Sequence, residues 1–186
     1  MPSAKPKTGN DEWYTSRKIV DACRKTLGGI DLDPASCELA NKTVGAKIFY
    51  TKEQNGLQFP WTGRVFMNPP YSVRGGRAEF ISKLVESWLS GEVEAACLVC
   101  PSDISYGWAK LIHEHVVAIC SVVLPNRQTF YGPDPRATIP GSGTGVYYFG
   151  PSPRKFSREI RRAGVGYVYY PCSESRKLLS EVNELF

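Results

Sequence analysis

Between two short apolar runs, Arg64 to Met67 and Glu94 to Cys100, the residues Phe80, Ile81, Leu84, Val85, Trp88 and Leu89 recur at the spacing of one helix face, with Gly91 as terminator. The same alternation runs through the rest of the chain. A first helix is expected over Ser16 to Leu27, where Ile19, Val20, Cys23 and Leu27 keep helical spacing, Asp21 can pair with Lys25, and Gly28-Gly29 is a stop. Ile30 to Asp33 reads as a strand, followed by Pro34-Ala35-Ser36 and a brief helical stretch to about Lys42. Lys47 to Tyr50 is another strand. Past the central unit, Tyr106 to His115 reads as a helix and Val116 to Leu124 as a strand. Thr144 to Phe149 and Val165 to Tyr170 are strands flanking a helix at Pro153 to Ala163. Ser173 can cap a last helix carrying Leu178, Leu179, Val182 and Leu185. Strands alternating with helices imply an α/β fold with a mostly parallel sheet covered on both faces, a three-layer αβα arrangement.

At 186 residues and 42% hydrophobic, the chain can bury one good core, so a single domain over 12–186 is expected, preceded by a polar tail at 1–11. The charge of +5 suits a polyanionic partner without demanding one. No stretch reaches the roughly 20 apolar residues of a membrane span and no apolar signal core opens the chain, so the expected location is the cytoplasm. Six cysteines then read as reduced thiols. Cys97 and Cys100, with His113 and His115, invite a zinc reading, but strand periodicity sends the two thiols to opposite faces. The histidines, two positions apart near a helix end, read as surface residues. No metal site is expected.

Sheets of this kind bind ligands at the carboxyl ends of their strands. At one such end stands Asn68-Pro69-Pro70-Tyr71, directly after Val65-Phe66-Met67. Each proline fixes φ near about −65° and lacks an N–H, so the loop's carbonyls can face a pocket instead of joining a ladder. An Asn oxygen and the next carbonyl can hold the two hydrogens of a planar amino nitrogen, a poor nucleophile because its lone pair is delocalised. Tyr71 offers a ring on which an extruded base could stack, a contact of about 1–3 kcal/mol. An ordinary Pro-Pro turn at a strand exit is the alternative. Asp31 and Asp33 occupy the end of an earlier strand, where a carboxylate can accept the hydroxyl hydrogens of a ribose. Helix capping by Asp33 and Ser36 is the plainer role, but two acids exceed what capping requires.

Taken together, Glu12 to Thr15, Gly28 to Ser36, Asn55-Gly56-Leu57, Trp61 and Gly63 to Tyr71 resemble the phage-type DNA N6-adenine methyltransferase family. Pro101-Ser102-Asp103, Arg127 to Phe130 and Pro140 to Gly150 look like its remaining blocks, so the resemblance covers about Glu12 to Pro151. It implies a Rossmann-like methyltransferase fold, S-adenosylmethionine as donor and adenine N6 in double-stranded DNA as acceptor, with no obligate protein partner evident. It also implies that Asn68 and the Pro69 carbonyl accept from N6, that Pro70 shapes the loop and that Tyr71 stacks on the base. Asp31 or Asp33 would hold the cofactor ribose, with Pro34, Ala35 and Ser36 as the adjoining loop. Trp13, Tyr14 and Thr15 would lie at the methionine end, and Asn55, Gly56 and Leu57 near the cofactor adenine.

One departure from methyltransferases at large is the missing Gly-x-Gly loop. Either the Asp33 strand takes that role with Pro34-Ala35-Ser36 as its loop, or it corresponds to the second strand of larger relatives. Gly141-Ser142-Gly143-Thr144-Gly145 is no substitute, because it has no following Lys and leads into a strand. Direct in-line transfer to a flipped base is the mechanism expected, flipping costing a few kcal/mol. Arg74 and Arg77, on a Gly75-Gly76 hinge, and Arg127 are the expected DNA contacts, whereas Arg154, Arg158, Arg161 and Arg162 read as a solvated stripe. Transfer to RNA adenine or protein glutamine, or a non-catalytic nucleic-acid-binding module on the same fold, are the competing readings.

Overall fold

Strand and helix alternate as the periodicity requires, in a computed structural model that describes residues 13–70, 76–102, 107–122 and 143–171. In chain order these are α1 (Arg17–Leu27), β1 (Leu32–Asp33), α2 (Glu38–Val44), β2 (Ile48–Phe49), a 3₁₀ turn (Gly56–Gln58), β3 (Gly63–Met67) and α3 (Arg77–Leu89). They continue as β4 (Val93–Pro101), α4 (Gly107–His115), β5 (Ala118–Val122), β6 (Thr144–Phe149), α5 (Pro153–Arg162) and β7 (Gly166–Tyr169). The Ser173 helix and the tail at 1–11 lie outside the described residues.

The strands form one sheet in the order β2-β1-β3-β4-β6-β5-β7. β1 to β5 run one way, β6 and β7 the other, so three pairings are parallel and three antiparallel. The connections explain this. Wherever a helix joins successive strands, the two run the same way, as a crossover demands. The single reversal falls between β5 and β6, where the connecting sequence holds Pro125, Pro133, Pro135 and Pro140 and carries no helical period. The fold is therefore the expected α/β sandwich, Rossmann-like in its first half, with a sheet more mixed than alternation alone implied.

Two apolar layers close the faces. Ile19, Val20 and Cys23 of α1 and Phe156 and Ile160 of α5 bury one face with Phe66, Cys97, Val99 and Tyr148. Phe80, Ile81 and Leu84 of α3 and Ile112 of α4 bury the other with Trp61, Val65, Met67, Leu98 and Cys100. Cys97 and Cys100 thus stand on opposite faces, as period 2 required, and burial pushes both thiols up. His113 differs from expectation. It is half-buried, its ring stands edge-on to Tyr147 at 5.9 Å, and its Nε2 is buried without a partner. Desolvation lowers its pKa, because α4 turns this position toward β6 and not toward solvent. Asp21 pairs with Arg24 at 2.6 Å instead of Lys25, because Arg24 also reaches across to the carbonyls of Thr43 and Val44 and ties α1 to α2.

Strand order reverses between β1 and β3. From β1 the chain leaves through α2 toward β2 on one side, and from β3 it leaves through α3 toward β4 on the other. Such a reversal opens a crevice at the carboxyl ends of the two strands.

Candidate active site

A cleft of about 740 Å³ occupies that crevice. The Asp33 to Ser36 loop after β1 and the Asn68 to Pro70 loop after β3 form two walls. Trp13 to Thr15, Asn55 to Leu57, Gly76 and the start of α3 at Glu79 and Phe80 line the cleft as well. Sequence segments separated by more than 50 residues meet here. Because β1 pairs directly with β3, the Pro34-Ala35-Ser36 loop and the Asn68 loop leave the sheet at neighbouring strand ends and line the same cleft.

Asn68 is held in one orientation. Its Nδ2 donates to the Trp13 carbonyl at 2.6 Å, while its Oδ1 is buried with no partner. Reversing the amide would set oxygen against oxygen at that distance, so the chemistry of the contact fixes which atom is the orphan. A buried acceptor left unpaired costs about 1–3 kcal/mol. Thr15 Oγ1, on the same wall, is likewise buried without a partner. Pro69 is buried beneath the loop, and Pro70 lines the cleft.

The two aspartates have separate fates. Asp33 lines the cleft and is 2% exposed, with Oδ1 accepting from the Ala35 N–H at 3.3 Å. Burial pushes its carboxyl up to about 7, opposed by the Ser36 hydroxyl and the Ala35 N–H. That Ser36 hydroxyl lies close enough to act on Asp33 but makes no hydrogen bond of ordinary geometry. Asp31 does not line the cleft, contrary to the cofactor role considered for it. Arg64 Nε donates to its Oδ2 at 2.7 Å, Arg64 Nη2 to its Oδ1 at 3.0 Å, the Arg64 N–H to Oδ2 at 3.0 Å, and Lys47 Nζ lies 2.8 Å from Oδ1. The Arg64 hydrogen bonds, above all, hold its carboxyl well below the usual carboxylate range. Alternate residues of a strand share a face but lie roughly 6.6 Å apart along it, so only the later one reaches the carboxyl edge.

The expected cofactor turn at Asn55 to Leu57 owes its position to one glycine. A Cβ on Gly56 would lie 2.0 Å from the Pro34 carbonyl oxygen, so only glycine lets these two backbones touch. Asn55, at φ 55°, accepts from the Leu57 N–H at 3.3 Å. The buried Trp61 donates from Nε1 to the Gly56 carbonyl at 2.8 Å, and Lys83 Nζ reaches the Leu57 carbonyl at 2.6 Å. Trp61 therefore serves the cleft by holding its wall.

Arg77, an expected DNA contact, is also engaged within the protein. Its Nε donates to the Pro70 carbonyl at 3.3 Å and its guanidinium lies over the Trp108 ring, 5.5 Å from the centroid. It ties the start of α3 to the Asn68 loop and to α4. Tyr71, Arg74 and Arg127 lie outside the described residues. Phe66, Glu79, Phe80 and the first turn of α2 also line the cleft, although the sequence reading left them in core or surface. The first turn of α2 carried a usable signal, since it directly follows the Asp33 loop. Among the described residues no group of three or more His, Cys, Asp or Glu is placed to hold a metal ion.

These features fit a nucleoside cofactor. A buried carboxyl, orphaned hydroxyls and a glycine-made contact between two loops line one cleft, together with Asn68, whose amide is anchored on Trp13. A family model described as DNA N-6-adenine-methyltransferase (Dam) matches residues 2–141 of the 186. No curated protein matches the chain.

Proposed function

Since the chain belongs to the DNA N-6-adenine-methyltransferase family, we propose that it transfers the methyl group of S-adenosylmethionine to N6 of an adenine flipped from double-stranded DNA, in one direct step. The observation that carries this reading is Asn68, with its amide nitrogen spent on Trp13 and its oxygen left unpaired. S-adenosylmethionine, when bound, supplies a methyl carbon made electrophilic by a positive sulfonium. The residues that would hold it are Asp33, by accepting from hydroxyl or ammonium hydrogens, with Thr15, Ser36 and the Asn55 to Leu57 turn completing the wall.

Asn68 Oδ1 and the Pro69 carbonyl then accept the two N6 hydrogens of adenine. Holding both draws the nitrogen lone pair out of ring conjugation. As the nitrogen turns positive, both hydrogen bonds strengthen, so they stabilise the transition state more than the ground state. No strong general base is needed at the moment of transfer, because the proton leaves an already cationic nitrogen. Asn68 is poised before substrate arrives, since Trp13 has fixed its amide plane.

Tritiated donor incubated with unmethylated DNA, with RNA and with protein separates the acceptor classes, and label in DNA alone is expected. Asn68→Ala should lower kcat by about 10²–10³-fold, the usual loss for one such preorganised hydrogen bond. Donor affinity by calorimetry should stay within a factor of about two, roughly 0.4 kcal/mol. Near-normal turnover in this variant would refute the mechanism.

A further inference from the structure

We propose that the outer face shared by α1 and α5 is a phosphate-binding surface that holds the DNA backbone beside the methylation site; this rests on the reading of the substrate as DNA. The two helices carry nine Lys and Arg against two acids, Asp21 and Glu159, a net +7. The whole chain totals +5, so everything outside these helices sums to −2. By contrast, α3 on the opposite layer is balanced, with Arg77 and Lys83 facing Glu79 and Glu86.

Read on α5 alone, the arginines are a solvated stripe. The fold brings them against a second basic helix. α1 and α5 pack side by side and antiparallel, since Lys18 Nζ lies against Gly164 just past the end of α5 and Lys155 Nζ against Gly28 just past the end of α1. Arg158 and Arg162 share Glu159, while Arg17, Lys18, Lys25 and Arg154 are exposed and form no ion pair among the described residues. An 11-residue helix is about 16 Å long and packed neighbours lie about 8–10 Å apart, so these cations span several backbone phosphates. The surface also adjoins the cleft, because α1 begins directly after Trp13 to Thr15.

A lipid surface fits less well. Among the described residues the exposed large hydrophobic ones are Leu39, Ile48, Leu89, Tyr167, Tyr169 and Tyr170, none of them on α1 or α5, so these helices offer nothing to insert between acyl chains.

The test is the triple variant Lys18→Ala, Arg154→Ala and Arg161→Ala, with duplex DNA binding followed by fluorescence anisotropy between 50 and 200 mM salt. Each lost phosphate contact should lower the slope of log Kd against log salt by about 0.9, so a fall of about 2–3 is expected. Turnover at saturating DNA and donor affinity should equal those of the parent, and the charge-keeping variant Lys18→Arg, Arg154→Lys and Arg161→Lys should restore the slope. An unchanged slope overturns the proposal. So does a triple variant whose binding to vesicles of acidic lipid falls while its binding to DNA does not, or a charge-keeping variant that fails to restore the slope. A parent protein that neither binds nor methylates DNA removes the substrate reading as well; a parent that methylates DNA beside a triple variant of equal slope removes only this surface.

Discussion

The two edges of the β1–β3 pair use the same residue types to opposite ends. At the amino edge, Asp31 is saturated by Arg64 and Lys47, and Arg64 Nη1 continues to the Gly28 carbonyl at 2.7 Å. Four hydrogen-bonding contacts converge on one carboxylate, joining β1 to β3 and, through Gly28, to the end of α1. At the carboxyl edge, Asp33 is buried with little more than one long backbone contact, and Asn68 Oδ1 and Thr15 Oγ1 have none. Saturated polar groups stabilise a fold, whereas buried unsatisfied ones cost stability, and three of the four among the described residues gather in one cleft where a ligand could complete them. One strand pair therefore separates an edge that holds the protein together from an edge kept ready for binding.

The strongest way to break this contrast is Gly56→Ala. A Cβ 2.0 Å from a backbone oxygen forces the Pro34 loop and the Asn55 turn apart, at a cost of about 3 kcal/mol. Chemical denaturation should show that loss, and donor binding should fall with it. If stability is unchanged, the two loops do not touch as described.

Exchanging the aspartates sharpens it further. Asp33→Asn should weaken donor binding by about 1.5–3 kcal/mol, the usual value of a hydrogen bond to a charged group, without lowering stability at pH 8. Asp31→Asn should do the reverse, lowering stability by about 1–2 kcal/mol, between the values for exposed and buried pairs, with donor affinity intact. Calorimetry and denaturation on both variants decide the matter. Equal donor affinities in the two variants would erase the distinction.

The smallest effects are those of pH, and they have opposite signs. Asp31 is held below its unfolded value, so its contribution is full above about pH 4 and is lost as pH falls further. Asp33 is raised to about 7, so burying its ionised form opposes folding above that pH, and the ligand-free protein gains stability as pH falls from 7 toward 4. Donors on a bound cofactor favour the ionised form, so donor affinity should rise through pH 7. Melting temperatures of wild type and Asp33→Asn from pH 8 to 4 should converge at the acid end. Parallel curves would show that Asp33 titrates normally.

Much of this was legible in the chain because it depends on near neighbours. The helix of Phe80 to Leu89, the opposite-facing Cys97 and Cys100, and the loop at Asn68-Pro69-Pro70 follow from spacing and from proline geometry, and the segments named for the cofactor do line one cleft. Residue spacing could not assign Asp31, because its partner Arg64 is 33 positions away and arrives through the pairing of Leu32 with Val65. The internal contacts of Arg77 were hidden for a related reason. Its sequence neighbours are polar and glycine-rich, yet α3 turns it onto Pro70 and Trp108.

From the chain alone come the parts: strands and helices in order, a donor-poor bend after β3, an acid at the end of β1, and an excess of positive charge. Only the tertiary structure decided which acid faces the cleft, which atom of Asn68 is left unpaired, and that two basic helices share one face. The physical reason is range. Periodicity and backbone preference act within a few residues, whereas register, strand reversal and side-chain satisfaction depend on segments that meet only once the sheet has closed.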